Sequence, residues 1–350
     1  MSFKVAVVGA GRMGKLHARV LDEMDSAELI CVVDINESVA RGVAKQRRCK
    51  AFTDVAGAVN LVDAAIIATP TARHVEAARG FVQAGKAVLI EKPLTNASAA
   101  GRELVALAEE CGASLQVGHT ERFNAAFLAV QKYAIAPKFI EAHRISPFTF
   151  RSADVGVVLD MMIHDLDIVL MLAGGKVEQV QAIGVNVVGS HEDICNARLT
   201  FDNGCVANLT ASRLAIKTER KMRIFSEEAY VSADYGKKVG LVVKKSANLD
   251  LIQMAREMDV SDIAELAETV DYTDLVKFEQ LRIDDSTEPL RRQAEAFART
   301  VTEGARPVVT AAEGLAAVEC AERIVKSIES HHWDGQASDR QGLGIIAKGT

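Results

Sequence analysis

Six residues, Gly9-Ala10-Gly11-Arg12-Met13-Gly14, separate an apolar run at residues 4–8 from a stretch of helical periodicity over about residues 13–23. A chain that leaves a buried strand, turns within so few residues and starts a helix at once is committed to a βαβ unit. The first glycine permits the tight turn, and the third lets the helix pack closely on the strand. The middle glycine lets backbone N–H groups approach a bound pyrophosphate, whose charge the helix N-terminus favours. Gly9, Gly11, Arg12, Met13 and Gly14 are therefore expected to hold a dinucleotide. At the end of the next apolar run, residues 29–33, stands Asp34. Its carboxylate is suited to both adenosine ribose hydroxyls and would repel a 2'-phosphate, which favours NAD. Arg41, Lys45, Arg47 and Arg48 leave NADP as the alternative.

The alternation continues. Apolar runs at 64–68, 87–90 and 114–117 are interleaved with helical periodicity around 39–46, 75–84 and 98–111. Continuous apolar runs, as opposed to alternating ones, indicate strands covered on both faces. Residues 1–120 thus read as a doubly wound parallel α/β domain of Rossmann type. From 121 to 350 the pattern changes to strand-like runs at 177–188, 196–201, 205–212, 222–225 and 239–244, and Asp202-Asn203-Gly204 gives a hairpin turn. This predicts an α+β domain with a large, mainly antiparallel, open sheet. Late helices around 288–301 and 310–329, parted by Gly304-Ala305-Arg306-Pro307, are free to pack back on the first domain. Residues 246–282 read as acidic and helical, with no function assigned.

Several function classes are disfavoured by composition. A net charge of −6 with acids and bases interspersed offers no polybasic stripe for nucleic acid or a membrane surface. The longest apolar stretch, 155–172, is broken by Asp160, His164, Asp165 and Asp167, so it suits a buried helix better than a membrane span. The apolar run from Phe3 leaves no room for an export leader, and a cytoplasmic location is expected. Cys31, Cys49, Cys111, Cys195, Cys205 and Cys320 lie far apart without metal spacing, so they read as reduced and structural, with no metal site.

Glu91-Lys92-Pro93 follows the run 87–90, at the carboxyl edge where open α/β sheets bind ligands. A partly desolvated lysine there could hydrogen-bond a substrate hydroxyl and stabilise developing oxyanion charge. On an ideal helix, at about 100° per residue, Asp160, His164 and Asp167 fall on one narrow stripe and Asp165 lies away from it. Polar groups on such an apolar helix face something polar. His164 suits general-base work on a hydroxyl, with Asp160 orienting it or holding substrate. A satisfied internal hydrogen-bond network is the alternative.

Together with Gly118-His119-Thr120-Glu121-Arg122-Phe123-Asn124 and Asp160-x-x-x-His164, the glycine turn and Glu91-Lys92-Pro93 resemble the Gfo/Idh/MocA oxidoreductases across almost the whole chain. The resemblance implies a Rossmann domain, then a domain whose open sheet makes homodimer or homotetramer contacts. It also implies a substrate pocket lined by Lys92, Asp160 and His164, and a cis bond before Pro93. Cofactor contacts are further expected at Thr69, Pro70, His74, Glu91 and Lys92, and substrate contacts at Arg122, Arg151 and Arg213.

Residues 144–165 and 191–198, and the run to Arg213, are similar to the branch of that family that oxidises the C3 hydroxyl of UDP-N-acetylglucosamine, ahead of a transaminase, for lipid A. Arg213, Lys217, Arg220, Lys221 and Arg223 could form a pyrophosphate-binding cluster, or a solvated charged hairpin. Competing readings are an inositol or simple-sugar dehydrogenase with the same catalytic trio, and a dinucleotide-sensing regulator without catalysis.

Overall fold

The computed structural model describes residues 2–133, 135–149, 155–245, 276–333 and 336–337. Its first sheet holds β1 (Phe3–Val8), β2 (Ala27–Val33), β3 (Lys50–Phe52), β4 (Ala64–Ile67), β5 (Ala87–Glu91) and β6 (Leu115–Gly118), all parallel, in the order β3-β2-β1-β4-β5-β6. Val5 through Val8 are buried without a break because the sheet is covered on both sides. One face packs on α1 (Arg12–Asp22) and α2 (Glu37–Arg47); the other packs on α4 (His74–Gln83) and α5 (Ser98–Cys111). Strand β3 and the single turn α3 (Ala56–Val59) are too short to show a period, and sequence reading passed over them.

The second sheet has eight strands: β7 (Phe139–Ile145), β8 (Val177–Val185), β9 (Ile194–Phe201), β10 (Val206–Ser212), β11 (Glu219–Phe225), β12 (Ala229–Asp234), β13 (Val239–Lys245) and β14 (Val276–Gln280). Their order is β14-β13-β12-β11-β7-β10-β9-β8, antiparallel throughout except between β7 and β10. The predicted hairpin joins β9 to β10, with Gly204 at φ +82° and the Cys205 N–H donating to Asn203 Oδ1 at 3.1 Å. Strand β14 corrects the helical reading of its part of 246–282: it adds a strand to the β13 edge. Residues 246–275 lie outside the described residues.

Inward residues of this sheet, such as Cys195, Ala197, Leu199 and Phe201 on β9, are buried against α6 (Ala125–Gln131) and α7 (Ile163–Ala173). Helix α8 (Pro289–Glu303) returns to the first sheet, where Leu290, Ala294 and Phe297 form its buried stripe and Phe297 meets Phe3 edge-on at 6.3 Å. Helix α9 (Ala311–Ser330) opens with a capping box between Thr310 and Glu313 and serves both cores. Val318 packs into the first, whereas Ala321, Ile324 and Ile328 pack into the second. Just before it, Val309 accepts a hydrogen bond from the Val117 N–H at 3.0 Å, which covers the free edge of β6. All six cysteines are free thiols, as expected.

Candidate active site

The glycine turn lies where β1 meets α1. Gly9 has φ +93°, and a Cβ on it would sit 2.6 Å from the Ala68 carbonyl oxygen; one on Gly14 would sit 1.7 Å from that of Gly9. Neither position admits a side chain. At Gly11 a Cβ would meet nothing within 4 Å, so the protein's own packing does not call for glycine there and the space beside it is open. Helix α1 starts without a side-chain cap, and the Thr69 hydroxyl beside the turn is buried with no partner among the described residues. Uncapped N–H groups beside the open space at Gly11, with an orphaned hydroxyl close to the turn, fit a pyrophosphate. Asp34 accepts from the Ala10 N–H at 2.7 Å and the Asn36 N–H at 2.9 Å, tying the glycine turn to the start of α2. Capping α2 falls to Asn36, whose Oδ1 accepts from Val39.

His74 and Glu91, expected against the cofactor, are instead engaged by the loops after β4 and β5 and by α1. His74 is buried, with Nδ1 3.0 Å from the Pro93 carbonyl oxygen and Nε2 3.0 Å from that of Thr69. It therefore fastens the loop after β4 to the loop after β5. Glu91 is buried against α1, its Oε1 2.7 Å from His17 Nε2. Both contacts hold the Glu91-Lys92-Pro93 turn, whose Lys92–Pro93 bond is cis, as the resemblance implied.

Lys92 reaches from that turn to the second domain. Its Nζ donates to the Asp160 carbonyl oxygen at 2.6 Å and lies 3.4 Å from Asp160 Oδ1. Val158–Met162 form a π turn leading into α7, and π turns widen the helix and displace carbonyls from the regular ladder. His164 is one turn further on, its Nδ1 buried and without a partner among the described residues. Burial pushes the imidazole well below its ordinary pKa, and the cations Lys92, Arg144 and Arg220 push it the same way. Burial also lowers Lys92, against the pull of Asp160 and Glu91. The result is a neutral imidazole near a partly desolvated ammonium, a pair whose chemistry suits a base and an oxyanion donor.

The π turn also corrects the expected stripe, because a wheel of constant pitch fails across it. Asp167 turns away from Asp160 to pair with Arg122, at 2.6 Å from Nε and 2.9 Å from Nη2. Asp165 takes Arg144 in a bidentate pair at 2.7 and 2.8 Å, and Arg144 also reaches Glu121 at 3.1 Å. Arg122 is thus consumed by a buried ion pair rather than presented to substrate. Arg213 is also buried, donating to Asp193 Oδ1 at 2.6 Å and to the Val155 carbonyl oxygen at 2.7 Å, with its guanidinium over Phe148. The expected cationic cluster around it is dispersed: Lys221 pairs with Glu219, Arg223 with Glu141 and Arg220 with Glu121. Arg151 lies outside the described residues.

Three residues of this region were not singled out from sequence. His17 could have been sought as the partner that a buried Glu91 requires. Arg144 sits in a strand that sequence reading left undivided. His119 was quoted within its motif but given no role, since an isolated histidine carries no period.

Residues 3–119 match the model of an oxidoreductase family with an NAD-binding Rossmann fold, and residues 117–232 match the GFO/IDH/MocA C-terminal domain. A UDP-N-acetylglucosamine 3-dehydrogenase from Acidithiobacillus ferrooxidans is 39% identical over 233 residues, 66% of this chain and 74% of that protein. Its solved structure superposes with a TM-score of 0.83 at 31% identity, covering 94% of this chain and 98% of that one. An inositol 2-dehydrogenase from Rhizobium meliloti is 27% identical over 344 residues, 94% of this chain and 97% of that protein. With matches running without a gap from residue 3 to residue 232, and a lysine from the first sheet meeting the aspartate–histidine turn that serves the second, the chain belongs to the Gfo/Idh/MocA family of oxidoreductases.

Proposed function

We propose that this oxidoreductase uses NAD to oxidise the C3 hydroxyl of UDP-N-acetylglucosamine to a ketone. The observation that carries the chemistry is the contact of Lys92 with Asp160, one turn from a His164 held neutral. The nucleotide-sugar reading is supported by the 39% identical relative and by the likeness to its structure over 94% of the chain. When bound, the dinucleotide supplies the hydride acceptor. His164 takes the hydroxyl proton, and Lys92 holds the oxygen as it becomes a carbonyl. Asp160 keeps Lys92 in place through its carbonyl oxygen.

NAD is favoured over NADP by Asp34. Of the nearby arginines, Arg47 is paired with Asp22, and Arg41 makes an exposed pair with Glu37 one turn away on the same helix. A 3-keto nucleotide sugar is a substrate for transamination, which would place the reaction ahead of an amine-installing step in amino-sugar synthesis for lipid A. The outer face of the eight-stranded sheet is proposed as the contact of a homodimer or homotetramer.

Incubating the protein with NAD+ and either UDP-N-acetylglucosamine or myo-inositol, and following NADH absorbance, tests the reading. Reduction with the nucleotide sugar alone is the expected result. Reduction with the polyol alone would transfer the reading to inositol oxidation, which the relative matching along 94% of the chain supports as the second choice. Binding of NAD without turnover of any sugar would revive a sensing role.

A further inference from the structure

His119 stands directly after β6, where the two domains meet. It is fully buried, and neither of its ring nitrogens has a hydrogen-bond partner among the described residues. Its ring stands edge-on to that of His164, with centroids 6.4 Å apart and planes at 87°. At that separation no direct hydrogen bond joins the rings, whereas a single water can span them. Leaving a buried polar nitrogen unsatisfied costs roughly 1–3 kcal/mol, so orphaned nitrogens on both rings call for a shared polar partner.

The surrounding charged groups are already engaged. Around His119 lie Asp167, Arg122, Lys92 and Glu91. Asp167 and Arg122 hold each other, Glu91 holds His17, and Lys92 holds Asp160. Around His164 lie Lys92, Arg144, Arg220 and His119. Arg144 is held by Asp165 and Glu121, and Arg220 by Glu121. Of these four neighbours only His119 has a lone pair to accept a proton; the others are cations.

We propose that His119 is the proton acceptor behind His164, connected to it through one buried water. The step rests on the reading of His164 as the base. The substrate O–H bond breaks as its proton goes to His164 Nε2, while the C3 hydride leaves to NAD+. His164 then releases its Nδ1 proton to the water, the water gives one to His119, and His164 is neutral again in its other tautomer. Asp167 and Glu91 are the carboxylates nearest the charge that arrives on His119.

His119→Gln and His119→Phe, assayed with NAD+ and UDP-N-acetylglucosamine in mixtures of light and heavy water, test the relay. Expected is a fall in kcat of about 10- to 100-fold. Both KM values should stay within about threefold, and the proton inventory should be curved for the native enzyme and linear for the variants. Native kcat with the curvature retained would overturn the proposal. Nitrogen-15 spectra of histidine-labelled protein need no substrate: His119→Phe should shift the ring signals of His164, and unchanged signals would overturn the proposal whichever sugar is used. If that variant fails to fold, the native protein decides by itself. Ring protons of both histidines should show cross-peaks to one bound water, and their absence would overturn the relay.

Discussion

The Lys92 ammonium is anchored to Asp160 chiefly through the main chain, at 2.6 Å from the carbonyl oxygen against 3.4 Å from the carboxylate. The two residues are therefore unequal in what their removal does. Lys92→Met takes away the oxygen donor and should lower kcat/KM by about 10²- to 10⁴-fold with NAD+ affinity nearly unchanged. Asp160→Asn keeps the carbonyl anchor and should cost less. Steady-state kinetics paired with cofactor titration by fluorescence checks both, and equal losses would contradict the anchoring role of the backbone.

The three glycines of the turn separate by what surrounds them. Gly11→Ala meets no protein atom and should leave the melting temperature of the cofactor-free protein unchanged, while weakening NAD+ binding by at least about 10-fold through contact with the pyrophosphate. Gly14→Ala forces a Cβ onto the Gly9 carbonyl oxygen and should lower the melting temperature even without cofactor. Differential scanning fluorimetry with and without NAD+ distinguishes the two.

Asp34 is expected to set cofactor choice. Asp34→Asn removes the charge proposed to meet the ribose hydroxyls, and charge-assisted hydrogen bonds are worth about 1.5–3 kcal/mol, so the Kd for NAD+ should rise about 10- to 100-fold. The Kd for NADP+ should fall at the same time as the repulsion is relieved. Isothermal titration with both dinucleotides measures the ratio; a variant that weakens both equally would place the ribose elsewhere.

His74, His119 and His164 are all held below the ordinary histidine pKa, with burial the largest cause in each. Where the folded value lies below the unfolded one, the unfolded chain binds more protons at acid pH. Their contribution is therefore present above about pH 6.5 and lost as pH falls below it, at up to about 1.4 kcal/mol per pH unit for each ring. Thermal stability should decline from about pH 7 towards pH 5, and His119→Gln should flatten that decline. A melting temperature independent of pH over this interval would show that the rings titrate normally.

Arg213 tests whether a buried guanidinium serves structure or substrate. Arg213→Met leaves the buried Asp193 with only its backbone donors, the N–H groups of Val187, Val188 and Gly189, and should destabilise the protein by about 1.5–3 kcal/mol in urea. The KM for the sugar should change far less in the surviving folded fraction. A large KM effect with native stability would restore the substrate-binding role expected from sequence.

Most of the first domain could be read in the sequence because its strands are unbroken apolar runs and its glycines have only one geometric use. The hairpin at Gly204 was legible for the same reason. Helix α7 was legible as an element, and Asp165 does face away from Asp167, each pairing with its own arginine; what periodicity missed is the π turn at Val158–Met162, across which Asp160 cannot be placed on a wheel of constant pitch with Asp167. Arg122 and Arg213 were placed at the substrate on their charge, yet the acids that neutralise them, Asp167 and Asp193, lie 45 and 20 residues away in sequence. His164 could be singled out because a polar group on an apolar helix demands a reason, and Lys92 because it follows a strand at the carboxyl edge of the sheet; the structure brings Lys92 to Asp160, one turn from His164. His74, by contrast, was given to the cofactor, although its partners are backbone carbonyls that no sequence pattern shows.

Helix α9 places Val318 in the core of one sheet and Ile324 in that of the other, within two turns of a single rigid rod. Opening the cleft by swinging one domain from the other would strip apolar surface from whichever end of the rod stayed behind. The shared rod is therefore expected to hold the distance from Lys92 to His164 constant, like the jaws of a gauge set at manufacture. Discrimination among sugars then has to arise from the side chains and loops that fill the gap, and small-angle scattering should find the same radius of gyration with and without cofactor.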